Sequence, residues 1–224
     1  MRRLKFGVLA LVAVVAAFAA TAASALAALP EFTVQTNATS AKQAVTSTFE
    51  NSGALKGTIT SSELKGELTA TSKSEGKFHI DFEKSECSNS TLGKGAGNSK
   101  GDSSGVILVL GTYSLASSTS NKPLALLTLE EVEIECHFKL STLKIFVKGT
   151  VLGSLSPEHT STTEFTQTVQ ASGGTQDITE YLNDSEKEVE AQLLTKISGG
   201  SFSDSTQNES AAVSITAEKA TELT

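Results

Sequence analysis

The clearest pattern in this chain is an alternation of apolar and polar residues between positions 129 and 157. From Val132 to Leu140 every second residue is apolar, and Glu, His or Lys fills most positions between. After a short break, the alternation resumes from 143 to 147. A period of two is typical of strands with one buried face. The stretch therefore predicts two adjoining strands, with Cys136 and Leu140 on the buried side.

Shorter segments with the same period follow one another along most of the chain. They are separated by Gly and Ser, as hairpin turns require. The unbroken apolar run at 106–110, VILVL, predicts a strand that is covered on both faces. Residues 186–197 fit either a helical stripe or a strand, and their strand-forming neighbours favour a strand. We therefore expect an all-β fold, most simply an antiparallel β-sandwich, with a closed or partly open β-barrel as the alternative.

One low-complexity segment interrupts this pattern at 88–105, with the sequence SNSTLGKGAGNSKGDSSG. Such Ser/Gly-rich composition predicts a mobile surface loop. We treat it as an insertion, so residues 28–224 are expected to form a single all-β domain.

The first 27 residues have the pattern of a cleavable secretion signal, which would form a helix before cleavage. Arg2, Arg3 and Lys5 precede an apolar run that ends in small residues, and this run is short for a membrane span. Cleavage would remove these three cations and no acidic residue, so the net charge would fall from -7 to -10. Export predicts a secreted or extracellular protein without a membrane span. An acidic chain also disfavours nucleic acids and anionic membranes as partners.

The chain has two cysteines, Cys87 and Cys136. In an oxidising compartment we expect them to form a disulfide bond, and two buried free thiols are the alternative. The buried positions of the strand at 76–83 are even-numbered, whereas Cys87 is odd-numbered. A bond to the inward-facing Cys136 therefore requires a bulge or a strand end between Lys84 and Cys87.

Two rows of polar side chains are candidates for chemistry. Glu131, Glu133 and Glu135 lie along one strand face at intervals of about 6.6 to 6.8 Å, a spacing that an inverting glycosidase could use. Sugar-binding sites also use aromatic rings, and this chain has no Trp and only two Tyr. We therefore interpret this row primarily as a solvated face that discourages edge-to-edge pairing.

The row formed by His79, Asp81 and Glu83 spreads its side chains too widely for one metal ion. No catalytic residue, cofactor site or metal site is predicted.

Several segments resemble a family of exported proteins that occurs in many copies in some soil actinobacteria. These segments are LPEF, FEKSEC, EEVEIEC, LKIFVKGTVLGSLSP and SGGTQDITEY, and the likeness covers most of the chain after the signal. Members often carry further cysteines in the first strands and in the Gly-rich segment, so the resemblance implies only the bond between Cys87 and Cys136 here. It implies export and a β fold, and because the family has no assigned activity it implies no mechanism.

These observations predict a secreted or surface-associated protein that acts as a non-enzymatic binding or structural module. Its partner would be an extracellular ligand or a cell-surface component. The alternative is an extracellular glycan hydrolase that uses the row of Glu131, Glu133 and Glu135.

Overall fold

The computed structural model describes residues 29–51 and 56–224, so the predicted signal at 1–27 lies outside the described residues. Within these ranges the chain contains strands and turns, and no helix long and apolar enough to span a bilayer is found there. The eighteen strands are β1 (Ala38–Gln43), β2 (Ser47–Asn51), β3 (Gly57–Ser61), β4 (Glu63–Ala70), β5 (Glu75–Glu83), β6 (Glu86–Asn89), β7 (Gly93–Ser99), β8 (Ile107–Ser117), β9 (Pro123–His137), β10 (Thr142–Ser156), β11 (Thr162–Thr168), β12 (Ala171–Ser172), β13 (Thr175–Gln176), β14 (Glu180–Leu182), β15 (Glu188–Glu190), β16 (Leu193–Ile197), β17 (Ser203–Glu209) and β18 (Val213–Thr221).

Sixteen of these strands form one antiparallel sheet, which confirms the predicted all-β antiparallel fold. The strand pairing closes on itself twice. A first ring runs through β8, β5, β4, β1, β18, β11, β10 and β9. A second ring runs through β7, β6, β3, β2, β17, β16, β10 and β9.

The two rings share the long hairpin of β9 and β10, which is the stretch with the clearest alternation in the sequence. The first half of β9 pairs with β8 and its second half with β7, while β10 lies along its other edge throughout. The register between β9 and β10 shifts next to Gly149, which has a φ of 112°. A Cβ at this position would also lie 2.1 Å from the Gln192 carbonyl oxygen. Glycine therefore permits the irregularity where the hairpin passes from one ring to the other.

Buried side chains form three clusters. One cluster belongs to the first ring and includes Leu115, Phe165 and Ile215. A larger one is centred on the second ring and contains Ile134, Cys136 and many neighbours. The third lies on the opposite face of the first ring, where residues 171–192, which we call the flap, cover the sheet. It comprises Ala116, Leu124, Leu126 and Leu152, with Ile178, Tyr181 and Ala191 of the flap packed on them.

A disulfide bond joins Cys87 and Cys136 inside the second ring, with 5.8 Å between their Cα atoms. Cys136 is fully buried and Cys87 is 2 % exposed. The predicted strand end before Cys87 is confirmed, because β5 ends at Glu83 and Lys84 has a φ of 54°. Before this break the even-numbered residues face inward, and after it the odd-numbered ones do, so Cys87 faces inward.

The structure corrects three other predictions. Leu140 is 94 % exposed rather than buried, because β9 ends at His137 and a tight turn begins at Phe138. The apolar run at 106–110 is covered on one face only, since Leu110 is 41 % exposed. The strand with both faces buried is instead Leu124 to Leu127, where the flap supplies the second layer.

The third correction concerns the Ser/Gly-rich segment at 88–105. Gly93–Ser99 forms β7, which fills the place between β6 and β9 and closes the second ring. Small residues are needed there, because a Cβ on Gly97 would lie 2.9 Å from the sulfur atom of Cys87. The prediction of a strand at 186–197 is confirmed, although it is divided into β15 and β16.

Candidate functional site

The row of Glu131, Glu133 and Glu135 lies on the outer face of β9 and is paired with cations. Glu133 contacts Lys144 at 2.7 Å and Lys100 at 3.5 Å. Glu135 lies 3.3 Å from Lys144, and Glu131 lies 4.0 Å from Lys196. These cations come from β10, β16 and the turn after β7, so the sheet itself places them beside the carboxylates.

The charge state of Glu133 follows from its partners. The hydrogen bond from Lys144 is the main reason why the pKa of Glu133 lies below its ordinary value. The pKa of Lys144 is raised for the same reason. Glycoside hydrolysis needs one carboxylic acid whose pKa is raised so that it can protonate the leaving oxygen. Glu133 is shifted in the opposite direction, so it remains an anion and is unsuited to the acid role.

The row of His79, Asp81 and Glu83 is likewise an ion-pair network on the outer face of the first ring. Lys65 lies 3.4 Å from Asp81 and 3.0 Å from Glu83, and His79 lies 3.2 Å from Asp81. Hydrogen bonds from Lys42 and then Lys65 lower the pKa of Glu83. In the described part of the chain, no group of three or more His, Cys, Asp or Glu side chains is placed to hold a metal ion.

A concave polar site occurs elsewhere, between the flap and the strands β10, β16 and β17. This cleft has a volume of about 190 Å³. Its lining combines hydroxyl groups (Thr150, Thr179, Thr206), amides (Gln176, Gln192) and carboxylates (Glu190, Asp204), with Leu152 and Ile178 as apolar members.

Hydrogen bonds between the flap and the sheet fix the shape of this cleft. Thr150 accepts a bond from the Gln192 backbone at 2.8 Å, and the Gln192 side chain donates to Asp204 at 2.6 Å. On the other side, the Gln176 amide donates to the Gln207 carbonyl oxygen at 3.0 Å. The cleft therefore has polar walls that the fold itself holds in position, as binding sites generally do.

No motif in the sequence indicates this cleft. Its walls come from β10, the flap, β16 and β17, which are distant in sequence, and the residues carry no motif. Glu190 and Gln192 lie in the segment 186–197, whose pattern favours a strand over a helix and indicates no site. The hydrophobic pairing of the flap with Leu124 and Leu152 creates the cleft, and that pairing depends on tertiary packing.

Two small apolar cavities lie in the interior, each of about 50 Å³. One is lined by Phe49, Val109 and Ile134 among others, and the second by Tyr113, Phe165 and Ile215 among others. Gln167 borders the second cavity and is 8 % exposed, and its amide nitrogen has no hydrogen-bond partner among the described residues.

Glu209, at the end of β17, is the other buried polar residue with an unpaired atom. Its side chain is 8 % exposed, and Oε2 has no hydrogen-bond partner within the described ranges. Burial raises the pKa of Glu209 to about 7, although hydrogen bonds from the Val169 backbone and the Gln207 side chain act in the opposite direction and lower it. Buried carboxyl groups with raised pKa values are frequent at functional sites, but neither cavity nor the cleft is lined by Glu209. Its burial therefore makes the stability of the fold depend on pH.

Comparisons with protein-family models, with curated proteins and with solved structures find no match to this chain. The resemblance to exported actinobacterial proteins thus stays a prediction from sequence motifs.

Proposed function

We propose that this protein is an exported, non-enzymatic binding module that takes a small polar ligand in the cleft beneath the flap. The observation that carries the proposal is the cleft itself, with its hydroxyl, amide and carboxylate groups held by the fold. Export is supported by the signal-like residues 1–27 and by the Cys87 to Cys136 disulfide, since such bonds persist mainly in oxidising compartments.

The size and polarity of the cleft limit the ligand. The cleft has a volume of about 190 Å³. Pockets for drug-sized ligands have about 300–1,000 Å³, so this cleft suits a single small unit. Hydroxyl and amide groups both donate and accept hydrogen bonds, which matches the hydroxyl groups of a sugar ring. We therefore infer a small polyhydroxylated ligand, such as one sugar unit of an extracellular glycan. Because no aromatic residue is among the lining residues of the cleft, hydrogen bonds rather than stacking on a ring would hold it.

The hydrolase alternative needs a carboxylic acid with a raised pKa on the outer face of β9. Lys144 lowers the pKa of Glu133 there, and the described cavities and the cleft are lined by other residues. Binding without catalysis is therefore the function that the geometry favours.

An NMR titration of the protein with N-acetylglucosamine, glucose and galactose tests the proposal. We expect amide shifts confined to Thr150, Thr179, Gln192 and Asp204, with at least one sugar saturating them. Glu190→Gln should weaken this binding several-fold, whereas Glu188→Gln, on the same strand but away from the cleft, should leave it unchanged. If no sugar shifts the amides of the cleft, the proposal is wrong.

A hydrolysis assay on peptidoglycan and on nitrophenyl glycosides is the second part of this test. We expect no turnover by the protein. Turnover that is abolished in Glu133→Gln would instead establish the glycan hydrolase.

A further inference from the structure

Two leucines are exposed at the same end of the second ring, which we call the ring tip (residues 89–95 and 137–142). Leu140, in the turn between β9 and β10, is 94 % exposed, and Leu92, in the turn between β6 and β7, is 37 % exposed. The two turns are neighbours, because β7 pairs with β9 and a Cβ on Gly95 would lie 2.2 Å from the His137 carbonyl oxygen. The fold thus brings both leucines to one apex.

The conformation of the turn does not require a leucine. Phe138 donates a backbone hydrogen bond to Ser141 at 2.9 Å, which closes a two-residue turn with Lys139 and Leu140 at its centre. Neither central residue is among those with positive φ. Asp, Asn, Ser and Gly are the residues that favour such turns, each for a reason of local hydrogen bonding or backbone freedom. Leu140 contributes nothing of this kind and exposes almost its whole side chain to water.

The charge at the ring tip differs from that of the chain as a whole. Lys139 is exposed in the turn after β9, and Lys94 is exposed at the start of β7. The Lys56 carbonyl oxygen accepts a hydrogen bond from the Asn89 side chain at 2.8 Å, which places Lys56 at the same end. The residues of the ring tip include no Asp or Glu, although Glu86 of β6 pairs with Lys94 at 2.5 Å. The full chain has a net charge of -7, so a basic end is a local departure.

We propose that the ring tip docks on an anionic phospholipid surface. Leu140 and Leu92 would enter the boundary between the headgroups and the acyl chains, and the lysines would contact the headgroups (Lys139, Lys94 and Lys56). Apolar side chains flanked by cations are the combination that membrane-surface segments use. The overall acidic charge of the chain disfavours anionic membranes as partners, and the ring tip is the local exception. This site is separate from the cleft, which lies at the junction of the rings.

Because the chain has no Trp, a single Trp introduced at Leu140 is a local fluorescence reporter. The matched control is Leu110→Trp, at a leucine that is 41 % exposed on the outer face of β8. A local reporter is required, because the apolar N-terminal run of the full chain would also bind vesicles. We expect a blue shift of Leu140→Trp emission with vesicles of phosphatidylcholine containing phosphatidylglycerol, little shift with phosphatidylcholine alone, and no shift of Leu110→Trp with either.

A second measurement tests the contribution of each group. Full burial of a leucine corresponds to roughly a tenfold or larger change in partitioning. In the Leu140→Trp protein, Leu92→Ser and Lys139→Glu should each raise the lipid concentration at half-maximal shift several-fold. An equal shift with neutral and anionic vesicles, or no shift with either, would overturn the proposal. It would also be overturned if sedimentation velocity showed a dimer that Leu140→Ser dissociates, because the ring tip would then bind a second copy.

Discussion

The buried carboxyl group of Glu209 leads to a prediction of how stability depends on pH. Glu209 is 8 % exposed, and burial is the largest cause of its raised pKa of about 7. An exposed carboxyl of the unfolded chain titrates near its ordinary value of 4.5. Replacement by Gln keeps the size of the side chain and removes its charge at every pH.

The sign and magnitude follow from linkage between protonation and folding. Because the folded-state pKa is the higher one, the protonated group stabilises the fold fully below about pH 4.5. This contribution is lost as pH rises through about 7. A shift from 4.5 to about 7 corresponds to about 3 kcal/mol, at 1.36 kcal/mol per pKa unit. Above pH 7 the folded state of the wild type therefore carries this cost, whereas the fold of Glu209→Gln does not.

Urea unfolding curves between pH 4 and pH 8.5 measure this effect. We expect the free energies of unfolding of the wild type and Glu209→Gln to be similar at pH 4. At pH 8 the variant should be more stable by about 3 kcal/mol, as derived above from the pKa shift. The control is Glu50→Gln, which changes an exposed residue on the neighbouring strand β2. A difference between Glu209→Gln and the wild type that is the same at both pH values would refute the reasoning.

Three further predictions concern stability and are also measured by urea unfolding. Replacing Cys87 and Cys136 by Ala should cost about 4 kcal/mol on the chain-entropy estimate, and reduction of the wild type should lower its free energy of unfolding by a similar amount. Leu152→Ala should cost about 2–5 kcal/mol, because Leu152 is 1 % exposed beneath the flap; a cost below 1 kcal/mol would mean that the flap is not packed there. Gly149→Ala should destabilise clearly more than Gly173→Ala, since both have positive φ but a Cβ meets a backbone oxygen only at Gly149.

The sequence predicts the fold best where one face of a strand is buried and the other is exposed to solvent. The alternation from 132 to 147 predicted the β9 and β10 hairpin and the inward direction of Cys136, because the period of a strand is local information. The odd number of Cys87, against the even-numbered buried positions of 76–83, also locates the break before Cys87. Each of these inferences needed only the residues within one or two strands.

The wrong predictions concern residues whose burial or secondary structure is determined by tertiary packing. The run at 106–110 is as apolar as the run at 124–127, and only the position of the flap determines which is covered on both faces. Gly93–Ser99 has the composition of a loop, yet it forms a strand because the space beside the disulfide admits only small residues. The burial of Glu209 is likewise invisible in the polar sequence SDSTQNES.

The sharing of β9 and β10 by both rings has a consequence for the dynamics of the molecule. Opening of the whole β9 and β10 hairpin breaks a pairing on which both rings depend, whereas opening at β6 or at β1 affects one ring only. Native-state hydrogen exchange should therefore be slowest along Pro123–His137 and Thr142–Ser156. The other strands of the first ring should exchange as one group and those of the second ring as another. The β9 and β10 hairpin, which joins the two rings, should exchange only by global unfolding.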